Sequence, residues 1–197
     1  RIDKRKTTDV PTAGVMVDPK SAQFVLLYNP EYFAGLSDKE KLGVLKHEFY
    51  HLTFEHVTGR KPEGGLTKKD NMCMDLAINS HLIGELPDKC CIPGVKPFEW
   101  AEPGKSYEWY KANWQPMENE DGEGGEGEGN PSDSFDDHSG WEQVDNTENE
   151  IAKERLKEAI KKAADEASQA GSWGSVPAQC RKEILDRLKV HINWEKA

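Results

Sequence analysis

The segment His47-Glu48-Phe49-Tyr50-His51 sets two imidazoles four residues apart, with a carboxylate beside the first. On an α-helix, positions four apart differ by about 40° around the axis, so both rings lean the same way and can share one metal ion. The chemistry such a set suits is hydrolysis. A zinc ion lowers the pKa of its water towards roughly 7 and polarises a carbonyl, while a neighbouring carboxylate takes the water's proton and passes it to a leaving amine. Glu48 stands where that base would stand. A catalytic zinc generally takes three protein ligands and leaves one position open, so a third ligand is required. Asp75, on the next expected helix, is the favoured candidate. His56 follows His51 by five residues, about 140° around an unbroken helix, and no Gly or Pro lies between to turn it back. His81 and His138 are further alternatives.

Elements able to position these groups are visible in the pattern. Val15–Val17 and Phe24–Tyr28 read as short strands, the second closed by an Asn29-Pro30 turn. Ser37 with Glu40 forms a capping box, and Leu42, Leu45, Phe49 and Leu52 make one apolar stripe of a long helix that Gly59 would stop. Thr67 and Asp70 cap a second helix carrying Met72, Asp75, Leu76, Asn79 and Ile83, with Gly84 and Pro87 ending it. A short helix is expected over 106–113, and longer ones over 147–170 and 177–190. Between them, residues 118–134 form an acidic Glu/Gly-rich tract that cannot bury apolar area to offset its ordering entropy, and it reads as a linker or loop. The division expected is a core over 1–117, the acidic linker 118–134, and a helical part of the same domain over 135–197. The fold class is α+β, with a small sheet packed on the His-Glu-x-x-His helix and a second ligand-bearing helix.

The bulk properties narrow the setting. A net charge of −10 argues against a general nucleic-acid binder, which needs a basic face to displace counterions from phosphates. No stretch approaches the roughly 18 apolar residues of a membrane span, and no leader pattern opens the chain, so a cytoplasmic protein acting on a peptide or protein substrate is expected. Cys73, Cys90, Cys91 and Cys180 form no C-x-x-C pair and read as reduced core residues.

Taken together, His47-Glu48-x-x-His51-x-x-x-x-His56-x-x-x-Arg60, Asp75-Leu76-Ala77-Ile78-Asn79-x-x-Leu82 and Leu86-Pro87 resemble the metallopeptidase domain that precedes von Willebrand A-like domains in bacteria and their phages. Gly104-Lys105-Ser106, Asp136-Asp137-His138 with Trp141, and Asn193-Trp194 extend the resemblance along nearly the whole chain. It implies a zincin-like fold, zinc on the two histidines and the Asp75 helix, and a von Willebrand A-like domain following this region, in a bacterial or phage-infected cell. His138 is then a candidate catalytic residue that would donate to the oxyanion or orient a ligand, against a plain polar turn. Asn79 reads as support for a ligand, Tyr50 and Tyr110 as donors to a substrate carbonyl or packed rings, and Arg60 as the partner of an acid. Phe24–Tyr28 would be the strand that pairs with an extended substrate. The function expected is a zinc metallopeptidase with Glu48 as general base. A zinc-stabilised adaptor without turnover is the rival, and hydrolysis of a non-peptide amide shares the same chemistry.

Overall fold

Three strands and six helices make up the described part of the chain, in the order β1 (Asp3–Lys6), β2 (Ala13–Val17), β3 (Phe24–Tyr28), α1 (Pro30–Ala34), α2 (Asp38–Thr53), α3 (Lys68–Asn79), α4 (Tyr107–Ala112), α5 (Asn146–Gln169) and α6 (Ala178–Leu188). This computed structural model describes residues 2–60, 62, 65–88, 90–115, 141, 146–174 and 176–189. The acidic tract 118–134, His138 and Asn193-Trp194 lie outside the described residues.

The sheet has the order β1-β3-β2. β3 lies in the middle, parallel to β1 and antiparallel to β2, with Val15 opposite Leu26. β-branched and aliphatic residues build β2 and β3, and their inward side chains Val15, Val17, Phe24 and Leu26 are buried. β1 gives no apolar alternation, which is why the sequence pattern misses it. Its Asp-Lys-Arg-Lys side chains are exposed, as suits an edge strand that must not recruit another chain. The central place of β3 also overturns its expected role as the substrate-pairing strand. Both of its edges already carry hydrogen-bonded neighbours.

The helix starts follow local chemistry. Asn29-Pro30 opens α1 instead of a turn: the Asn29 side chain accepts from the Glu31 and Tyr32 amides, and Pro30 tolerates the first helical position because no N–H is needed there. α2 and α3 both begin with reciprocal capping boxes, Ser37 with Glu40 and Thr67 with Asp70. Both helices end earlier than Gly59 and Gly84 suggest. The stripe on α2 also differs from the expected one. Leu42 and Phe49 are 52% and 45% exposed, while Val44, His47, Glu48 and His51 are buried. The face that α2 turns inward is the face that holds its polar donors.

One hydrophobic cluster joins Val15, Val17 and Leu26 of the sheet to Leu52 at the end of α2, Met72 and Leu76 of α3, Tyr107 and Tyr110 of α4, and Trp141 and Ala152 from beyond the acidic tract. Arg155 of α5 adds hydrogen bonds to the Ser21 and Ala22 carbonyls in the β2–β3 turn. A second cluster packs Tyr50, Phe54, Ile78 and Leu82 against Cys180 and Ile184 of α6. All four cysteines are free thiols. Burial pushes Cys73 up to about 12 and Cys180 up to about 11, so both stay protonated and unreactive at neutral pH.

The Asp70 carboxylate ties α3 to α4. It accepts from the Thr67 hydroxyl at 2.6 Å, the Tyr107 hydroxyl at 2.8 Å and the Lys111 ammonium at 2.6 Å. Burial alone would raise its pKa, but the hydrogen bonds from Lys111, Thr67 and Tyr107 outweigh it and hold Asp70 at about 2, below the ordinary 3.8. A depressed value stabilises the fold above the ordinary pKa, and that contribution fades as the pH falls from 3.8 towards 2. Replacing Asp70 by Ala is expected to cost about 2 kcal/mol in urea unfolding at neutral pH and to flatten the loss of stability between pH 4 and 2.

Candidate metal centre

α2 and α3 are drawn together by a glycine. A Cβ on Gly43 would lie 2.1 Å from the Glu85 carbonyl oxygen, so only glycine lets α2 approach the turn that follows α3 this closely. Lys46 reinforces the contact with an ion pair to Glu85 at 2.5 Å. α3 is buried at every position from Met72 to Asn79, as a helix surrounded by other elements must be. Asp75 is carried into that interior on its inner turn.

The result is a convergence of three side chains, each 0% exposed: His47, His51 and Asp75. His47 Nε2 lies 3.0 Å from His51 Nε2, and Asp75 Oδ1 lies 3.4 Å from His51 Nε2 and 3.7 Å from His47 Nε2. Bonds of about 2.0–2.1 Å in a tetrahedron separate ligand atoms by about 3.4 Å, so the triangle matches one face of such a site. Imidazole nitrogen with carboxylate oxygen is a donor set that zinc accepts.

The surroundings of the histidines also fit a cation. His47 Nδ1 is 2.7 Å from Asn79 Oδ1, while Asn79 Nδ2 donates to the Cys91 carbonyl at 3.0 Å. The Cys91 contact fixes which end of the Asn79 amide faces His47. An amide oxygen only accepts, so His47 carries a proton on Nδ1 and turns its Nε2 towards Asp75 and His51. Asn79 therefore bonds to His47, one of the two histidines expected to hold a metal. Glu48 is 1% exposed and follows His47 on the same helix. Trp141 walls the site: its ring centroid is 5.2 Å from that of His51, and its indole N–H donates to the Val15 carbonyl of β2.

Other candidates fall elsewhere. His56 does not lie around a continuing helix, because α2 stops at Thr53 and Glu55 turns into the left-handed region at φ 60°. A glutamate takes the place that glycine usually holds in this helix ending, so the composition gave no sign of the break. The reversal brings His56 Nδ1 to 3.1 Å from His51 Nδ1, the side of that ring remote from the three converging atoms. His81 packs edge-on to Tyr50 and Phe54. Tyr50 stacks on Phe54, and the Tyr110 hydroxyl bonds to the Glu102 carbonyl at 2.6 Å and to Ser80 Oγ at 3.0 Å, so both read as packing residues. Arg60 pairs with Glu108 at 3.3 Å.

Changing Gly43 to Ala would force α2 and the Glu85 turn apart. A loss of about 2 kcal/mol in thermal or urea unfolding is expected, together with weaker metal uptake because Asp75 moves with α3. Unchanged unfolding would show that the helices are not spaced by this contact.

No curated protein and no solved structure matches the chain. Among the described residues no helix is long and apolar enough to cross a membrane. Residues 12–94 match the model of a family described as "Putative metallopeptidase domain", and this stretch, which holds His47, Glu48, His51 and Asp75, is what the chain shares with that family.

Proposed function

We propose that the chain is a zinc-dependent metallopeptidase of zincin-like fold, in which His47, His51 and Asp75 hold the metal and Glu48 is the general base. The observation that carries this reading is the triangle of 3.0, 3.4 and 3.7 Å between two imidazole nitrogens and a carboxylate oxygen, on a helix that also buries Glu48. Zinc bound there would polarise a substrate carbonyl and acidify a water. The chain's own residues do the rest. His47 is held in its ligating tautomer by Asn79. Glu48 accepts a proton from the attacking water and returns it to the leaving amine nitrogen, so no net proton is consumed at the carboxylate. Trp141 keeps bulk water from the His51 side.

We further read residues 1–117 and 135–197 as one domain, because the cluster containing Val15 and Leu76 also contains Trp141 and Ala152. His138 stays a proposed donor to the oxyanion, resting on the resemblance of its triplet. A bacterial or phage-infected cell and a following von Willebrand A-like domain rest on the same resemblance, and a cytoplasmic setting on the reading of the four cysteines as reduced thiols.

The rival, a zinc-stabilised adaptor, draws support from the burial of all three ligands, since a structural metal needs no access. Glu48 opposes it, because a metal that only stabilises the fold has no use for a buried carboxylate next to its ligand.

Zinc-loaded protein assayed on fluorescent casein and a quenched-peptide library separates the two. Glu48→Gln is expected to bind zinc like the wild type while hydrolysis falls by roughly 10²–10⁴-fold. Full activity in that variant would remove Glu48 from the mechanism. A wild type that holds zinc and cleaves nothing would favour the adaptor. Asp75→Ala should lose most of its zinc; full occupancy would shift the third ligand elsewhere.

A further inference from the structure

The end of α2 is built in an unusual way. The His56 amide donates to the His51 carbonyl and the Glu55 amide to the Leu52 carbonyl, both at 2.9 Å, which is the paired ending that normally needs glycine at its left-handed position. Here that position is Glu55, at φ 60°. A left-handed backbone costs an L-residue energy, and such outliers persist where the surrounding structure has a use for them. What this one does is return the chain so that the next side chain, His56, comes back against the helix it has just left.

His56 is 0% exposed. Its ring is fixed between Phe54, at a centroid distance of 6.0 Å, and Tyr107, at 6.1 Å. Its Nδ1 is 3.1 Å from His51 Nδ1. For His51 to offer the lone pair of Nε2 to a cation, its one proton must sit on Nδ1, and the atom facing that proton is His56 Nδ1. A metal-bound histidine commonly donates its other ring N–H to a carboxylate, a carbonyl or water. For His47 the acceptor is Asn79.

We propose that His56 is the positioning residue of the metal centre: its Nδ1 accepts the His51 Nδ1–H and holds His51 in the tautomer and ring angle that present Nε2 to the metal. His56 is then neutral, with its own proton on Nε2. The two ligands of α2 are set by different devices, His47 by an amide from α3 and His51 by a second histidine delivered by the helix ending. The inference rests on the reading of His47, His51 and Asp75 as metal ligands.

Zinc affinity by chelator competition, in the full chain, tests it with three proteins. His56→Phe keeps a planar ring in the same space but cannot accept a hydrogen bond, and its affinity should fall by roughly 10- to 100-fold. His56→Asn places an amide oxygen where Nδ1 was and should restore affinity to within a factor of about three of the wild type, the scale of a preserved outer partner. In the zinc-loaded wild type, nitrogen-15 NMR should show the His51 proton on Nδ1. This signal keeps the proposal testable if His56→Phe fails to fold. Equal affinity for wild type and His56→Phe, an Asn variant as weak as the Phe variant, or a His51 Nδ1 without a proton would each overturn it while leaving the metal site in place. A wild type that binds no zinc would take both readings down.

Discussion

A carboxylate taken fully out of water needs a compensating positive charge, and Asp75 sits in the interior with its Oδ1 within 4 Å of two imidazole nitrogens. Asn79 accepts from Nδ1 of one of those imidazoles and orients its Nε2 towards the carboxylate. Three electron-rich atoms pointing at one another would repel, and a cation between them converts the repulsion into bonding. Much else in the fold serves this convergence. Gly43 permits the close helix pair, the burial of α3 brings Asp75 inside, and Trp141 closes the side next to His51.

How much of this could be read from the residues differs from element to element. Capping boxes are local chemistry, so Ser37 and Thr67 marked both helix starts correctly. Four-residue spacing on a helix is also local, and it brought His47 and His51 together. Asp75 followed from the pairing of two consecutive helices. The end of α2 was not legible, because a glutamate in the left-handed region leaves no compositional mark. The stripe on α2 was legible only in part: Leu52 is buried and Leu45 packs against the core, but Leu42 and Phe49 face outward while the histidines and glutamate lie inside. β1 was missed since its stability comes from pairing with β3 and not from its own charged side chains. The misassigned substrate strand has the same origin, for strand order is a non-local property.

The polar groups around the metal centre form graded layers. Nearest are the three converging atoms, then Asn79 and His56 against the two imidazoles, then the Cys91 carbonyl and the aromatic rings that keep those partners in place. Each layer restricts the one inside it. Such layering suits a site whose ligands must keep one geometry, since an imidazole free to rotate or change tautomer would lose most of its value as a ligand. Glu48 is buried in the same interior, while the converging group is made by His47, His51 and Asp75.

Elemental analysis of the purified protein beside a His47→Ala control tests the central claim most directly. The account predicts about one zinc per chain in the wild type and nearly none in the control. A wild type that carries no metal, and takes up none when zinc is added, would contradict it and leave the convergence of His47, His51 and Asp75 to be explained by a proton shared among them.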